Sequence, residues 1–273
     1  GTVAAGAGGS FDVVVAINNT FTGLLTAQDY RIEATGVSPL IGSKIDTIVY
    51  NGPATLSVVS GSPQSAVVNT QFGADLVVQV VDRNNLPIPG LQVTFTPPGA
   101  GASASTALSF AITGANGRAS IRPTANTVTG SYTVTASVAG IASTAAFNLT
   151  NTAGAPASVS LVSGSPQSAT INTAFGAPLL VVVRDTFGNP VPGATVTFSA
   201  PGSGASSTLT AAAATNALGQ TQVTPTANAT AGAYNVTAAV AGVVTPVTFA
   251  LTNTAGAPAS VSVVSGTPQS TVV

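Results

Sequence analysis

In 273 residues the chain has no cysteine, no histidine, no methionine and no tryptophan, and only one lysine, Lys44. Without cysteine there is neither a disulfide framework nor a thiol nucleophile. Without histidine the commonest general base and metal ligand is missing. Charged residues make up 5% of the chain, where about a quarter is usual. Seven acids and six bases leave a net charge of −1. The cations, Arg31, Lys44, Arg83, Arg118, Arg122 and Arg184, are scattered, so no basic patch is offered to nucleic acid or to an anionic membrane. From Pro123 to the end the sole carboxylate is Asp185, so that half cannot supply the carboxylate pair of a glycosidase. A Ser–Lys dyad has one candidate position, Lys44. The inventory reads as a non-enzyme with no cofactor and no metal site.

Long apolar runs are missing too. Thr186 to Val273 is uncharged, but Pro, Gly, Asn and Thr interrupt it every few residues, which excludes a membrane-spanning helix there. No secretory signal is visible, and the expectation is a mature form, a fragment or a window on a longer protein. Hydrophobic residues at 45% and regularly spaced argue for a core and against disorder.

What is present is repetition. "SGSPQS" at Ser60 returns at Ser163, and "SGTPQS" follows at Ser265. From Pro53 to Pro98, roughly 27 of about 46 positions match the residue about 103 further on, far above chance for an internal repeat. "NTQFGADLVVQVVD" from Asn69 answers "NTAFGAPLLVVVRD" from Asn172, and "GSYTVTASVAG" from Gly130 answers "GAYNVTAAVAG" from Gly232. One unit spans residues 53–155 and a second 156–257. Residues 258–273 read as the first strand of a third, and residues 1–52 as a divergent partial unit, with Tyr30 in the phase of Tyr132 and Tyr234.

Inside a unit the period is two. Tyr132, Val134, Ala136 and Val138 alternate with Thr133, Thr135 and Ser137, the pattern of half-buried strands. Val93 with Phe95, and Phe147 with Leu149, share phases. Between the strands lie turn-forming stretches such as "RNNLPIPG" and "GANG", and "PPGAGAS" and "APGSGAS" read as loops at a sandwich end. No window carries a helical stripe. The fold expected is all-β, as tandem immunoglobulin-like β-sandwiches. Its predicted core is Phe95, Tyr132, Phe147, Phe198, Tyr234 and Phe249, the two tyrosines placed like a tyrosine corner.

The runs "VVRDTFGNPVPGATVTF", "TNALGQTQV" and "GAYNVTAAVAG" resemble the bacterial immunoglobulin-like repeat domains of the invasin and intimin type. The resemblance covers both full units and leaves residues 1–52 aside. It implies a stalk or spacer at the cell surface or outside the cell, sometimes with an adhesive tip for a host or surface receptor, and it implies no catalysis. The turn residues of the motif are Asp185, Gly188, Pro190, Pro192 and Gly193. The first unit answers with Asp82, Pro87, Pro89 and Gly90, but "DRNNLPIPG" lacks a glycine where the second unit has Gly188.

Asp82 and Asp185 admit two roles: a calcium ligand between domains, or a turn carboxylate accepting backbone N–H groups of its own loop. Calcium needs about six to eight oxygens, and no second acid stands near Asp185 in sequence, which favours the turn. Exposed Thr-x-Thr pairs (Thr133/Thr135, Thr195/Thr197) read as solvated strand faces. Sequons at Asn18, Asn148, Asn228 and Asn235 are expected by chance in a Thr-rich chain. The junctions Leu149–Ser160 and Leu251–Ser262 are short and contain proline, which limits hinging. The alternative to a stalk is a subunit of an extracellular filament, self-associating head to tail through residues 258–273.

Overall fold

The computed structural model describes residues 53–266 and 268–271; the expectation for residues 1–52 lies outside them. The first repeat carries β1 (Thr55–Ser60), β2 (Gln64–Val67), β3 (Leu76–Val81), β4 (Gln92–Thr96), β5 (Ala104–Ser105), β6 (Phe110–Ile112), β7 (Arg118–Ile121), β8 (Thr124–Ala125), β9 (Gly130–Val138) and β10 (Ala145–Thr152). The second repeats the order with β11 (Ser158–Ser163), β12 (Gln167–Thr170), β13 (Leu179–Arg184), β14 (Thr195–Ser199), β15 (Ser207–Thr208), β16 (Ala212–Ala214), β17 (Gln220–Val223), β18 (Thr226–Ala227), β19 (Gly232–Val240) and β20 (Val247–Thr254). Among the described residues every regular element is a strand. The three alanines of β16 favour helix by local propensity, but pairing with β14 outweighs it.

Each repeat stacks a three-stranded sheet, β1-β3-β7 or β11-β13-β17, on a five-stranded one, β2-β10-β9-β4-β6 or β12-β20-β19-β14-β16. The inward phases of both sheets meet between them. Phe95, Phe147, Phe198 and Phe249 are almost fully buried, with ring centroids 6.2 Å apart for Phe95–Phe147 and 6.5 Å for Phe198–Phe249. Tyr132 and Tyr234 pack half-buried at the margins of the two cores.

The recurring hexapeptide is the place where the first strand changes sheets. β1 pairs antiparallel with β3, and after Gly61–Pro63 the chain emerges as β2, parallel to β10. Gly61 sits at φ +94°, where a Cβ would lie 2.2 Å from the Asp75 carbonyl oxygen, so only glycine fits. Ser62 Oγ accepts the Asn148 N–H at 2.8 Å. Gln64 donates to Gly61 O and Ala74 O at 2.8 and 3.0 Å, and its Oε1 accepts the Ala74 N–H. Gly164, Ser165 and Gln167 repeat every one of these contacts in the second unit. The phrase recurs because its glycine, second serine and glutamine close the same crossing in each repeat. The peptide bonds Ser62–Pro63 and Ser165–Pro166 are cis.

Residues 258–266 and 268–271, expected to open a third repeat, form no strand in this chain. Val261, Val263 and Val264 are exposed. The counterparts β1 and β11 are ordered by pairing with β3 and β13, and a lone segment has no such ladder.

Candidate functional site: the joint between the repeats

The Asp185 turn and the joint are one structure. Asp185 follows β13 directly and is buried, 4% exposed. Its Oδ1 accepts the N–H groups of Phe187 and Asn189, both at 2.9 Å. Its Oδ2 accepts the Gly154 N–H at 3.0 Å, from the linker that follows β10. Asn189 faces the other repeat. Its Nδ2 donates to both Asp185 oxygens, at 3.2 and 3.0 Å, and to Thr127 O at 2.9 Å. Its Oδ1 accepts the Thr129 N–H at 3.2 Å. One turn of the second repeat therefore grips the linker and the β8–β9 loop of the first. Burial pushes the Asp185 carboxyl upward, but the bonds from Asn189, Gly154 and Phe187 outweigh it and hold the pKa below the ordinary value.

The gripped loop is itself fixed from below. Asn151, on the inward phase of β10 after Phe147 and Leu149, is 2% exposed. Its Nδ2 donates to Ser103 O, Asn126 Oδ1 and Val128 O, and its Oδ1 accepts the Tyr132 hydroxyl at 3.0 Å. Asn126 Oδ1 also takes the Ser103 and Val128 N–H groups, and its Nδ2 reaches Gly101 O. This amide knot holds two end loops together and presents Thr127 and Thr129 in a set position. The tyrosine thus differs from a tyrosine corner, whose hydroxyl turns back to upstream backbone. Here the open acceptor is the side chain of Asn151, already held by its three donor bonds. Burial pushes the Tyr132 hydroxyl up to about 12, partly opposed by that bond. Asn253, Asn228 and Tyr234 are the second repeat's counterparts. Asn253 makes the same three donor bonds.

The first repeat's turn is a plainer version. Asp82 Oδ1 accepts Asn84 and Leu86 N–H at 2.8 Å each. Asn85 sits at φ 62°, where the second repeat has Gly188 at φ 84°. The missing glycine therefore costs the turn little, since asparagine tolerates that region. Leu86 stands where Asn189 stands and is 60% exposed. Gly90 and Gly193 take φ 78° and 73°. Pro87 and Pro190 bridge back to Val81 and Arg184, and Pro89 and Pro192 follow in the same loops.

An open cleft of about 490 Å³ runs along the joint, walled by Thr129, Gly130 and Thr152 on one side and by Pro190, Pro192 and Ala217 on the other. Its lining is uncharged. Among the described residues no three acids converge as a metal site requires, and no helix is long and apolar enough to cross a membrane.

The sheet order and paired cores define immunoglobulin-like sandwiches in tandem. The model of the bacterial Ig-like domain (group 1) family matches residues 56–152 and again residues 159–252. The chain belongs to that family, which is one of Ig-like domains and not of enzymes. Among solved structures, the chain is similar to FdeC, an Escherichia coli adhesin, at 22% identity over 75% of this chain and 67% of that one, with a TM-score of 0.45. It is also similar to InvD of Yersinia pseudotuberculosis, at 24% identity over 80% of this chain and 60% of that one, with a TM-score of 0.49. Invasin, described as a bacterial integrin-binding protein, shares 26% identity over 73% of this chain and 39% of that one, at a TM-score of 0.32. No curated protein matches in sequence.

Proposed function

We infer that the chain is a non-enzymatic spacer, a stalk segment of a bacterial protein displayed at the cell surface or outside the cell. The observation that carries this reading is the joint. A spacer must hold successive domains at a set angle, and Asn189 with Asp185 bonds both the linker and the neighbouring repeat's loop. The bonds across the joint are part-buried and tied to the buried Asp185–Asn189 pair, so each contributes more than on an open surface. Family membership supports the reading, as do the scarce charge and the uncharged lining of the cleft along the joint. Few Lys and Arg leave few sites for trypsin-like proteases, which suits exposure outside a cell. Any receptor contact belongs to this proposal as well, with the described repeats carrying the distance and not the recognition. The test is labelling of intact producing cells with antibody raised against residues 53–257. Surface staining that survives mild trypsin treatment of whole cells and is lost with a protease of broad specificity is expected. Staining only after permeabilisation overturns the reading.

A further inference from the structure

The outer edge of the first repeat's five-stranded sheet carries a feature its twin lacks. β6 ends the order β2-β10-β9-β4-β6 and pairs only with β4. The Phe95 N–H bonds Ser109 O at 2.8 Å and the Thr113 N–H bonds Leu91 O at 2.9 Å. Residues 109, 111 and 113 therefore turn their backbone groups toward β4. By the alternation of an antiparallel ladder, Phe110 and Ile112 point their N–H and C=O groups outward. Among the described residues no hydrogen bond reaches those outward groups. The side chains along the same edge are apolar and open: Leu108 is 62%, Phe110 37% and Ile112 52% exposed.

The fold does not require this stripe. In the second repeat β16 makes the same pairing, with Phe198 N–H to Ala211 O at 2.8 Å and Thr215 N–H to Ala194 O at 3.0 Å. There the matching residues are Thr210, Ala212 and Ala214. Nor is the stripe guarded. Between Arg83 and Arg118 the sequence has no charged residue, and β6 has neither proline nor bulge, the usual devices that keep an edge from pairing.

We propose that β6 is a homotypic docking edge, and that its occupant is β6 of a second copy of this chain. A self-matching contact brings each charge against its own kind, so an uncharged edge is the kind that can meet itself. A two-fold axis normal to the sheet through Phe110 sets the strands antiparallel. Phe110 then faces Phe110, and Leu108 of each copy faces Ile112 of the other. Both stripes stay on one face, and the outward backbone groups of Phe110 exchange two hydrogen bonds. Antiparallel strands mean that the two chains run in opposite directions. On the surface-display reading above, on which this consequence rests, such chains are rooted on facing cells, and the contact is a self-adhesive one. Each pair is small, and many pairs act together.

The test is sedimentation equilibrium of the 273-residue chain up to millimolar concentration. Reversible dimerisation is expected. The double variant F110A/I112A, which gives the first repeat the residues β16 already carries, weakens it by about tenfold or more. Its melting curve shows that the repeat still folds. A Lys at 212 in the second repeat (Ala212→Lys) leaves dimerisation unchanged, whereas Ile112→Lys abolishes it. A wild-type chain that stays monomeric throughout, or an F110A/I112A chain that associates equally well, overturns the proposal. Failure of the surface labelling leaves the solution dimer untouched, so the two ideas fail separately.

Discussion

Replacing Asn151 by Asp keeps the shape of the buried amide and removes its donors. Three bonds are lost at once, to Ser103 O, Asn126 Oδ1 and Val128 O. At about 1 kcal/mol for each acceptor left short of a donor the loss is about 3 kcal/mol, and an anion that keeps only the Tyr132 hydroxyl as a donor and faces three oxygens adds a further cost until it takes up a proton. Protonation restores one donor. The variant's carboxyl is therefore held above its unfolded value of about 3.9. The sign follows: the folded variant binds the extra proton, so its stability is greatest at low pH and falls as pH rises through the raised pKa, by up to about 1.4 kcal/mol per unit. The assay is thermal unfolding followed by circular dichroism at pH 4 and pH 7. At pH 7 the first repeat should melt lower by about 12–24 °C, from about 4–8 °C per kcal/mol for a domain of this size. The penalty should be smaller at pH 4, while the second repeat's transition stays in place. Asn253→Asp should transfer the effect to the second repeat. A variant that folds and melts like the wild type at pH 7 refutes the amide knot as a support of the loops.

Asp185→Ala should destabilise the second repeat by about 2–4 kcal/mol, since hydrogen bonds to charged groups are worth about 1.5–3 kcal/mol each and some donors regain water. The stability Asp185 supplies is present above the ordinary carboxyl range and is lost as pH falls through its lowered folded pKa, so wild type and variant should converge in acid. A chelator should leave the wild-type melting curve unmoved, and a fall of many degrees would restore the calcium reading. Phe198→Ala should cost its own repeat about 3–5 kcal/mol with little effect on the first, read as two separate transitions. Gly164→Ala places a Cβ 2.3 Å from Pro178 O at φ +97°; a loss of roughly 2–4 kcal/mol in urea unfolding is expected, and a neutral result contradicts the sheet-crossing geometry.

Alternation and repetition made the fold legible because both are local properties of the sequence. Val93 with Phe95, and Phe147 with Leu149, carry a period of two, and the second copy confirms the phase. The polar framework was harder to see. Asn151 continues the inward phase of Phe147 and Leu149, so a polar residue on a buried phase, repeated at Asn253, was the available signal for the knot. The roles of Gln64 and Ser62 are not legible in their own segment because their partners, Ala74 and Asn148, belong to other segments. The exchange of Leu86 for Asn189 is visible on aligning the repeats, but its meaning is not, because Asn189 bonds residues of the neighbouring repeat. Residues 258–266 and 268–271 form no strand in this chain for a related reason: β pairing needs a partner that the segment itself does not contain.

The central claim, a fixed joint, is open to a direct distance measurement. The chain has no cysteine, so single cysteines at exposed Thr133 and Asn235 take spin labels at those two sites alone. Double electron–electron resonance across the joint should give one narrow distance distribution. Asn189→Leu introduces the residue that the same turn already carries at Leu86 and removes the bonds to Thr127 and Thr129. At about 0.5–1.5 kcal/mol per bond the joint loses about 1–3 kcal/mol, and the distribution should broaden clearly; the first repeat keeps its melting transition, while the second melts somewhat lower because its Asp185 also loses the Asn189 side-chain donor. A broad wild-type distribution, or a variant as narrow as the wild type, would contradict the account.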